Sequence, residues 1–348
     1  MVKSGSTTIQ KFLEDNRDAV AEAGLFIPLT GTIQHAHNHR SLVAAFSPQK
    51  NGNRLLGPLR REFRQAGLPP RALLTAENFS LRFPETGYVD KLAQYWTELG
   101  YDLHVAAYLR AQPGAINSRY CQNLKHWTHA MTMTEFAAAE IQSGRHDYSS
   151  LFAEVVDHSG IATSFRPFSR RILQTGLVAD FLQVIGVAEP RPGAFAETGN
   201  FNRSPGAKTV AALLALRRWT WAELPHLTGR ELSPLTTPLI KIADGMGWND
   251  RPFYGVDADL HRSIVAHFAD SNERMARRAW NCSWRNHFAD EEEVARPLSV
   301  FDPQSAEGPE RDEWNEFVAQ AKDMIHHFTS EKVPSATDSG QDGIEDEG

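Results

Sequence analysis

The sequence predicts an α/β protein in which a parallel central sheet is flanked by helices on both faces, with a mostly helical C-terminal half. Three short apolar runs, at residues 71–77, 103–109 and 162–168, alternate with segments of helical period, which is the pattern of strands joined by helical crossovers. From residue 205 to about 328 the periodicity is almost wholly helical. No internal repeat interrupts this scheme.

Residues 6–23 put Ile9, Phe12, Leu13, Val20 and Ala21 roughly on one helical face, and Gly24 stops the helix. Leu25-Phe26-Ile27-Pro28 is a short extended piece running into a polar, histidine-rich loop. Residues 40–66 are helical around Leu42, Val43, Phe46, Leu55, Leu59 and Phe63, broken near Pro48 and Asn51-Gly52. Arg71-Ala-Leu-Leu-Thr-Ala-Glu77 has the composition of a buried strand, and a helix over 88–99 ends before Gly100. Leu103-His-Val-Ala-Ala-Tyr-Leu109 is the strongest strand. It is followed by Arg110, the turn signal Pro113-Gly114, and a helix expected over 115–128. Helices follow at 134–142 and 149–156, then the strand Ala162–Phe168 and a helix over 173–185.

The chain has 348 residues, enough to bury a substantial core, and 41% hydrophobic with 23% charged residues describes a water-soluble globular protein. Residues 1–330 read as a single α/β domain. Residues 331–348 read as an acidic disordered tail, with six carboxylates against Lys332. That tail supplies most of the net charge of −7, so the body is near neutral. A near-neutral body with local basic clusters suits a small anionic ligand and argues against a nucleic-acid partner, which needs a broad positive face. Cys121 and Cys282 share no metal-type spacing, which leaves a reduced cytoplasmic setting as the expectation. The longest apolar stretch, Thr209–Leu216, is far shorter than the ~20 residues of a transmembrane helix, and no signal peptide opens the chain.

The first residues, Met1-Val2-Lys3-Ser4-Gly5-Ser6-Thr7-Thr8-Ile9-Gln10, describe an anion-binding helix N-terminus. Small residues let backbone N–H groups approach an anion, and Thr7 and Thr8 add hydroxyls. This is not a Walker A loop, because Lys3 precedes Gly5 instead of following a second glycine. At the end of the strongest strand, Arg110 is followed eight residues later by Ser118, a fork-shaped cation and a hydroxyl that suit a second phosphate.

Together these two segments resemble the 5′-phosphosulfate loop and the 3′-phosphate site of sulfotransferases that use 3′-phosphoadenosine 5′-phosphosulfate (PAPS). Further stretches resemble bacterial members of that family: Leu42–Ala45 after His39, Leu73–Ser80, Arg166-Pro-Phe-Ser-Arg170 before Leu177–Leu182, Asn202-Arg-Ser204, and Asn272–Arg277. The likeness covers about residues 1–302. It implies a P-loop-like sulfotransferase fold that moves a sulfuryl group from PAPS to a hydroxyl or amine of a small-molecule or glycan acceptor, without a metal. Lys3 would stabilise the leaving phosphate, Lys3 to Thr8 (Lys3, Ser4, Gly5, Ser6, Thr7, Thr8) would hold the 5′-phosphate, and Arg110 with Ser118 the 3′-phosphate.

Two residues qualify as the base that takes the acceptor's proton. His39 lies just after the first helix and its short extended piece and titrates near neutral pH, while Glu77 ends an apolar run where open α/β sheets bind ligands. His35, His37 and His39 alternate along one segment, a spacing open to a metal-ligand reading, but no cysteine or carboxylate cluster adjoins them. Residues 123–160, with Trp127, His129 and Tyr148, are where an acceptor-facing insertion is expected. Trp219, Trp221, Trp248, Trp280 and Trp284 either pack helices or line an acceptor cleft, and Arg277-Arg278 form a solvated or acid-paired helix face. The alternatives to a sulfotransferase are a nucleotide-dependent phosphotransferase and a catalytically impaired member that only binds. In the resembling fold an apolar strand precedes the lysine. Met1-Val2 is too short to supply one, so the expectation is a longer natural coding region and an unstable or weakly active chain in this form.

Overall fold

The computed structural model of the protein describes residues 5–32, 38–49, 54–169, 176–196, 204–293 and 295–330. Lys3, Ser4, His35, His37 and the acidic tail lie outside the described residues. These residues form two compact units, one built from residues up to 120, 131–204 and 254–298, the other from 121–130, 205–253 and residues beyond 298.

The first unit carries the sheet. Its helices up to the first strand are α1 (Ser6–Asp15), α2 (Arg17–Glu22), α3 (Arg40–Val43), α4 (Leu56–Gln65) and α5 (Tyr88–Glu98), with a 3₁₀ turn at Glu77–Leu81. Strand β1 (Leu103–Leu109) then runs into α6 (Gln112–Lys125), whose residues from Cys121 on belong to the second unit, and α7 (Met133–Gln142), α8 (Tyr148–Leu151) and α9 (Ala153–Asp157) follow. Strand β2 (Ile161–Pro167), α10 (Leu177–Val184), α13 (Ala258–Trp280) and α14 (Arg285–Glu292) complete it. β1 and β2 pair in parallel, Leu103 opposite Ile161 through to Leu109 opposite Pro167.

Side chains alternate across β1, as strand geometry requires. Leu103, Val105, Ala107 and Leu109 join a large core with Phe46, Phe63, Trp96, Phe152, Phe165 and Trp284. Tyr108, on the opposite face, joins a smaller core with Ile9, Phe12, Leu13, Val20 and Phe181 from α1, α2 and α10. Helices therefore cover both faces, as the alternation of runs predicted.

The sheet is narrower than that pattern implied. The run at residues 71–77 is extended but makes a single parallel bridge, Phe26 to Ala72, so it is not a full strand. Phe26 donates to Arg71 O and accepts from Leu73 N, and Thr75 exchanges contacts with His39, so the odd positions face that side. The backbone groups of Ala72, Leu74 and Ala76 point the other way. On β1, Leu109 O accepts from Phe168 N, so the odd residues serve β2 and the backbone groups of His104, Ala106 and Tyr108 point away from it. Among the described residues no backbone hydrogen bond reaches Ala72, Leu74, His104, Ala106 or Tyr108 on those outer sides. A groove of about 540 Å³ lies between the two edges, lined by residues 70–77 and 103–108 together with Ser6, Ile9 and Gln10. A strand is defined by its neighbour, and residues 71–77 have one on a single side.

The helix after β1 begins at Gln112, three residues earlier than predicted. Pro113 reads as a breaker but sits in the first turn, where its missing N–H is not needed.

The second unit is helical among its described residues, with α11 (Ala207–Glu223), α12 (Gly229–Gly245) and α15 (Gly308–Ser330). Thr228 and Glu231 form a capping box that starts α12. Trp127 is buried in this unit and its indole N–H donates to Thr236 Oγ1 at 2.8 Å. Trp248 is buried as well and donates to Glu313 at 3.2 Å. No helix among the described residues is long and apolar enough to cross a membrane.

Candidate active site

Helix α1 starts at a glycine that cannot be replaced without strain. Gly5 has φ +79°, and a Cβ there would lie 2.2 Å from Leu177 Cδ2 and 2.9 Å from Phe168 Cε2. Its carbonyl accepts from Thr8 N at 3.0 Å and Ile9 N at 3.2 Å. The amides of Ser6 and Thr7 precede these bonds and have no partner among the described residues. They are the orphan donors of a helix N-terminus, pointing along the positive end of its dipole.

Ser6 also reaches across the site, where its hydroxyl donates to Glu77 Oε1. Glu77 stands where the extended segment 71–76 breaks into the 3₁₀ turn, because Ala76 is still extended while Glu77 begins the turn. The carboxylate is half-buried. The structure thus brings Ser6 of the predicted anion loop onto one of the two predicted bases.

His39 is in a different setting. Its side chain has no exposed surface, its Nε2 lies 3.0 Å from Pro28 O, and its Nδ1 accepts from Thr75 N at 3.1 Å. Since Nδ1 accepts, Nε2 is the nitrogen that carries the hydrogen and donates. With both ring nitrogens turned to backbone, His39 ties the 71–77 segment to residues 26–28 and presents no lone pair to an acceptor.

Arg110 follows β1 directly. Its guanidinium carbon sits 5.7 Å from the centroid of the Phe168 ring. A Cβ at Gly114 would lie 3.2 Å from both Nε and Nη2 of Arg110, so the guanidinium lies along the bare first turn of α6. Ser118 is four residues beyond Gly114 and shares that helical face. Because α6 begins at Gln112, Ser118 falls in its second turn and not at its start, as the sequence had suggested, so its hydroxyl and not its amide is the donor available. Burial is the largest influence lowering the proton affinity of Arg110. The positive charge of Arg296 adds to it and Glu291 opposes it. A guanidinium stays charged regardless. Arg296 stacks over Tyr254 at 5.8 Å, and Asn117 Oδ1 fixes that loop by accepting from Gly255 N at 2.9 Å. Tyr148 is buried and donates to Arg110 O at 2.7 Å, and burial raises its phenol well above the ordinary range.

Sequence reasoning missed a buried network behind this site. Tyr108 donates to Asp180 Oδ2 at 2.6 Å, and Arg166 holds both oxygens of Asp180, one of them at 3.2 Å from Nε. Burial alone would raise Asp180. The hydrogen bonds from Arg166 and Tyr108 outweigh it and hold the carboxyl below the usual carboxylate range. Burial, followed by the bond to Asp180, pushes the Tyr108 phenol far up. The network ties β1, β2 and α10 together beside Gly5. Its members lie 14 and 72 residues apart, and no local pattern connects them.

Within residues 123–160, where an acceptor-facing insertion was expected, the side chains of Trp127, His129 and Tyr148 are buried. Trp280 and Trp284 pack helices, with Trp284 stacked on Phe288 at 4.3 Å and Trp280 donating to Phe165 O at 2.7 Å. Arg278 pairs with Asp157, so that helix face is acid-paired. No family model, curated protein or solved structure matches the chain.

Proposed function

We propose that the protein transfers a sulfuryl group from PAPS to a hydroxyl or amine, with Glu77 as the base. The observation that carries this reading is the hydrogen bond from Ser6 to Glu77, which sets a carboxylate beside the orphan amides of α1. A group held by those amides would lie next to the residue that takes the acceptor's proton.

In this reading the Ser6 and Thr7 amides, with Lys3 by resemblance, hold the 5′-phosphate. Arg110 and Ser118 hold the 3′-phosphate, and Arg296 adds positive charge beside Arg110. Glu77 accepts the proton as the acceptor oxygen or nitrogen bonds to sulfur, and the bond between sulfur and the phosphate oxygen breaks with its electron pair left on the phosphate. Lys3 offsets the charge that builds there. His39 holds the segment that ends in Glu77 and is a positioning residue.

The test is direct measurement of PAPS binding and of its conversion to 3′-phosphoadenosine 5′-phosphate with a panel of hydroxyl and amine acceptors. Binding with turnover that Glu77→Gln reduces by about 10²-fold or more supports the assignment. Binding without turnover would make the chain a PAPS-binding protein, and absence of binding would sink the reading.

A further inference from the structure

A second cavity, of about 680 Å³, opens one residue beyond Glu77. Arg40, Arg82 and Arg145 converge on it from three separate segments, with Asn78, Ser143 and Ser150 between them, and no carboxylate lines it. Arg40 begins α3 directly after His39, Arg82 ends the 3₁₀ turn that starts at Glu77, and Arg145 follows α7. All three side chains are exposed. Arg82 has Glu85 at 3.2 Å, whereas Arg40 and Arg145 form no ion pair among the described residues. In a chain of net charge −7, a concave surface lined by three arginines, of which Glu85 offsets only Arg82, is a local excess of positive charge. Such a surface repels itself unless an anion occupies it.

We propose that this cleft binds the acceptor and that the acceptor is an acidic saccharide. Planar guanidinium forks match carboxylates and sulfate esters two oxygens at a time. The amide of Asn78 supplies a donor and an acceptor for sugar hydroxyls, while the hydroxyls of Ser143 and Ser150, which donate to Glu140 O and Asp147 Oδ2, offer their lone pairs as acceptors. The volume falls within the range of small-molecule sites. Only the cleft's role as acceptor site rests on the sulfotransferase reading, and its charge selectivity is tested without PAPS.

The experiment is calorimetric titration of the full chain with tetragalacturonate and with maltotetraose, a neutral chain of equal length, at several salt concentrations. The acidic saccharide should bind at least about tenfold more tightly, the difference should shrink with salt, and Arg40→Gln/Arg145→Gln should reduce it by about tenfold or more. If the double variant fails to fold, Arg145→Gln alone carries the comparison. Equal binding of the two saccharides, binding indifferent to the substitutions, or tighter binding of a phosphopeptide of equal charge would overturn the proposal. Selective saccharide binding without PAPS turnover would remove the sulfotransferase reading and leave the cleft standing.

Discussion

The Ser6 hydroxyl donates to the Glu77 carboxylate, joining two residues 71 positions apart in the chain. One begins α1 and the other ends the extended segment that His39 holds in place, so the bond links the N-terminus of a helix to the end of that segment. Removing the hydroxyl separates the two without emptying either. Ser6→Ala should lower turnover of PAPS by about tenfold through kcat, with near-normal donor binding, because the amides of Ser6 and Thr7 remain. Steady-state kinetics with a separate binding measurement checks this.

Gly5→Ala should act on structure and donor together. The left-handed backbone and the clash with Leu177 predict a loss of about 2 kcal/mol or more, and donor binding should weaken as α1 is displaced. Urea denaturation and donor titration of the same variant give both values.

His39→Ala should be a stability variant. It leaves the Thr75 N–H and the Pro28 carbonyl without their partners in a buried site, a cost of about 2–4 kcal/mol. If His39 were instead the base, turnover would collapse while the denaturation midpoint stayed in place, so measuring both separates the two roles.

Asp180 provides a pH-dependent prediction. Its carboxyl is held below its unfolded value, so its contribution to stability is present above an unfolded pKa of about 3.9 and is lost as pH falls through the folded value. Asp180→Asn should cost about 1–3 kcal/mol at pH 7, less than a fully buried pair because Arg166 is partly exposed, and the cost should shrink below pH 3. Denaturation at pH 7 and pH 2.5 tests the sign.

Amide exchange should divide β1 by parity. Leu103, Val105 and Ala107 bond to β2 and should exchange slowly, while His104 and Ala106 face the groove and should exchange much faster. Uniform protection along the strand would contradict the observed pairing.

What the sequence made legible was local. Leu103–Leu109 and the run from Ala162 are apolar enough to declare themselves strands, and Ile9, Phe12 and Leu13 fix the buried face of α1. The run at 71–77 has the same composition, yet composition cannot report whether a neighbour exists on each side. Pro113-Gly114 signals a turn, but proline is equally at home in the first turn of a helix, which moved Ser118 inward. Glu77 was named as a candidate because it ends an apolar run, and the structure places the Ser6 hydroxyl on its carboxylate. The Tyr108–Asp180–Arg166 network and the approach of Arg296 to Arg110 join distant segments, and nothing in the intervening residues announces them. Arg40, Arg82 and Arg145 are scattered for the same reason.

The groove between residues 71–76 and β1 also governs how the molecule meets its own kind. Sheet edges at a protein's rim are commonly shielded by charges, bulges or proline. Here Ala72, Leu74 and Ala106 have backbone groups with no hydrogen-bond partner on the groove side among the described residues, although Pro70, Arg71 and Asp102 also line the groove. Two facing templates of this sort grip an extended chain from both sides, and partly unfolded copies are the extended chains at hand in a concentrated preparation. Solubility should therefore be limited by strand exchange between molecules and not by surface charge, and it should respond to protein concentration more steeply than to salt.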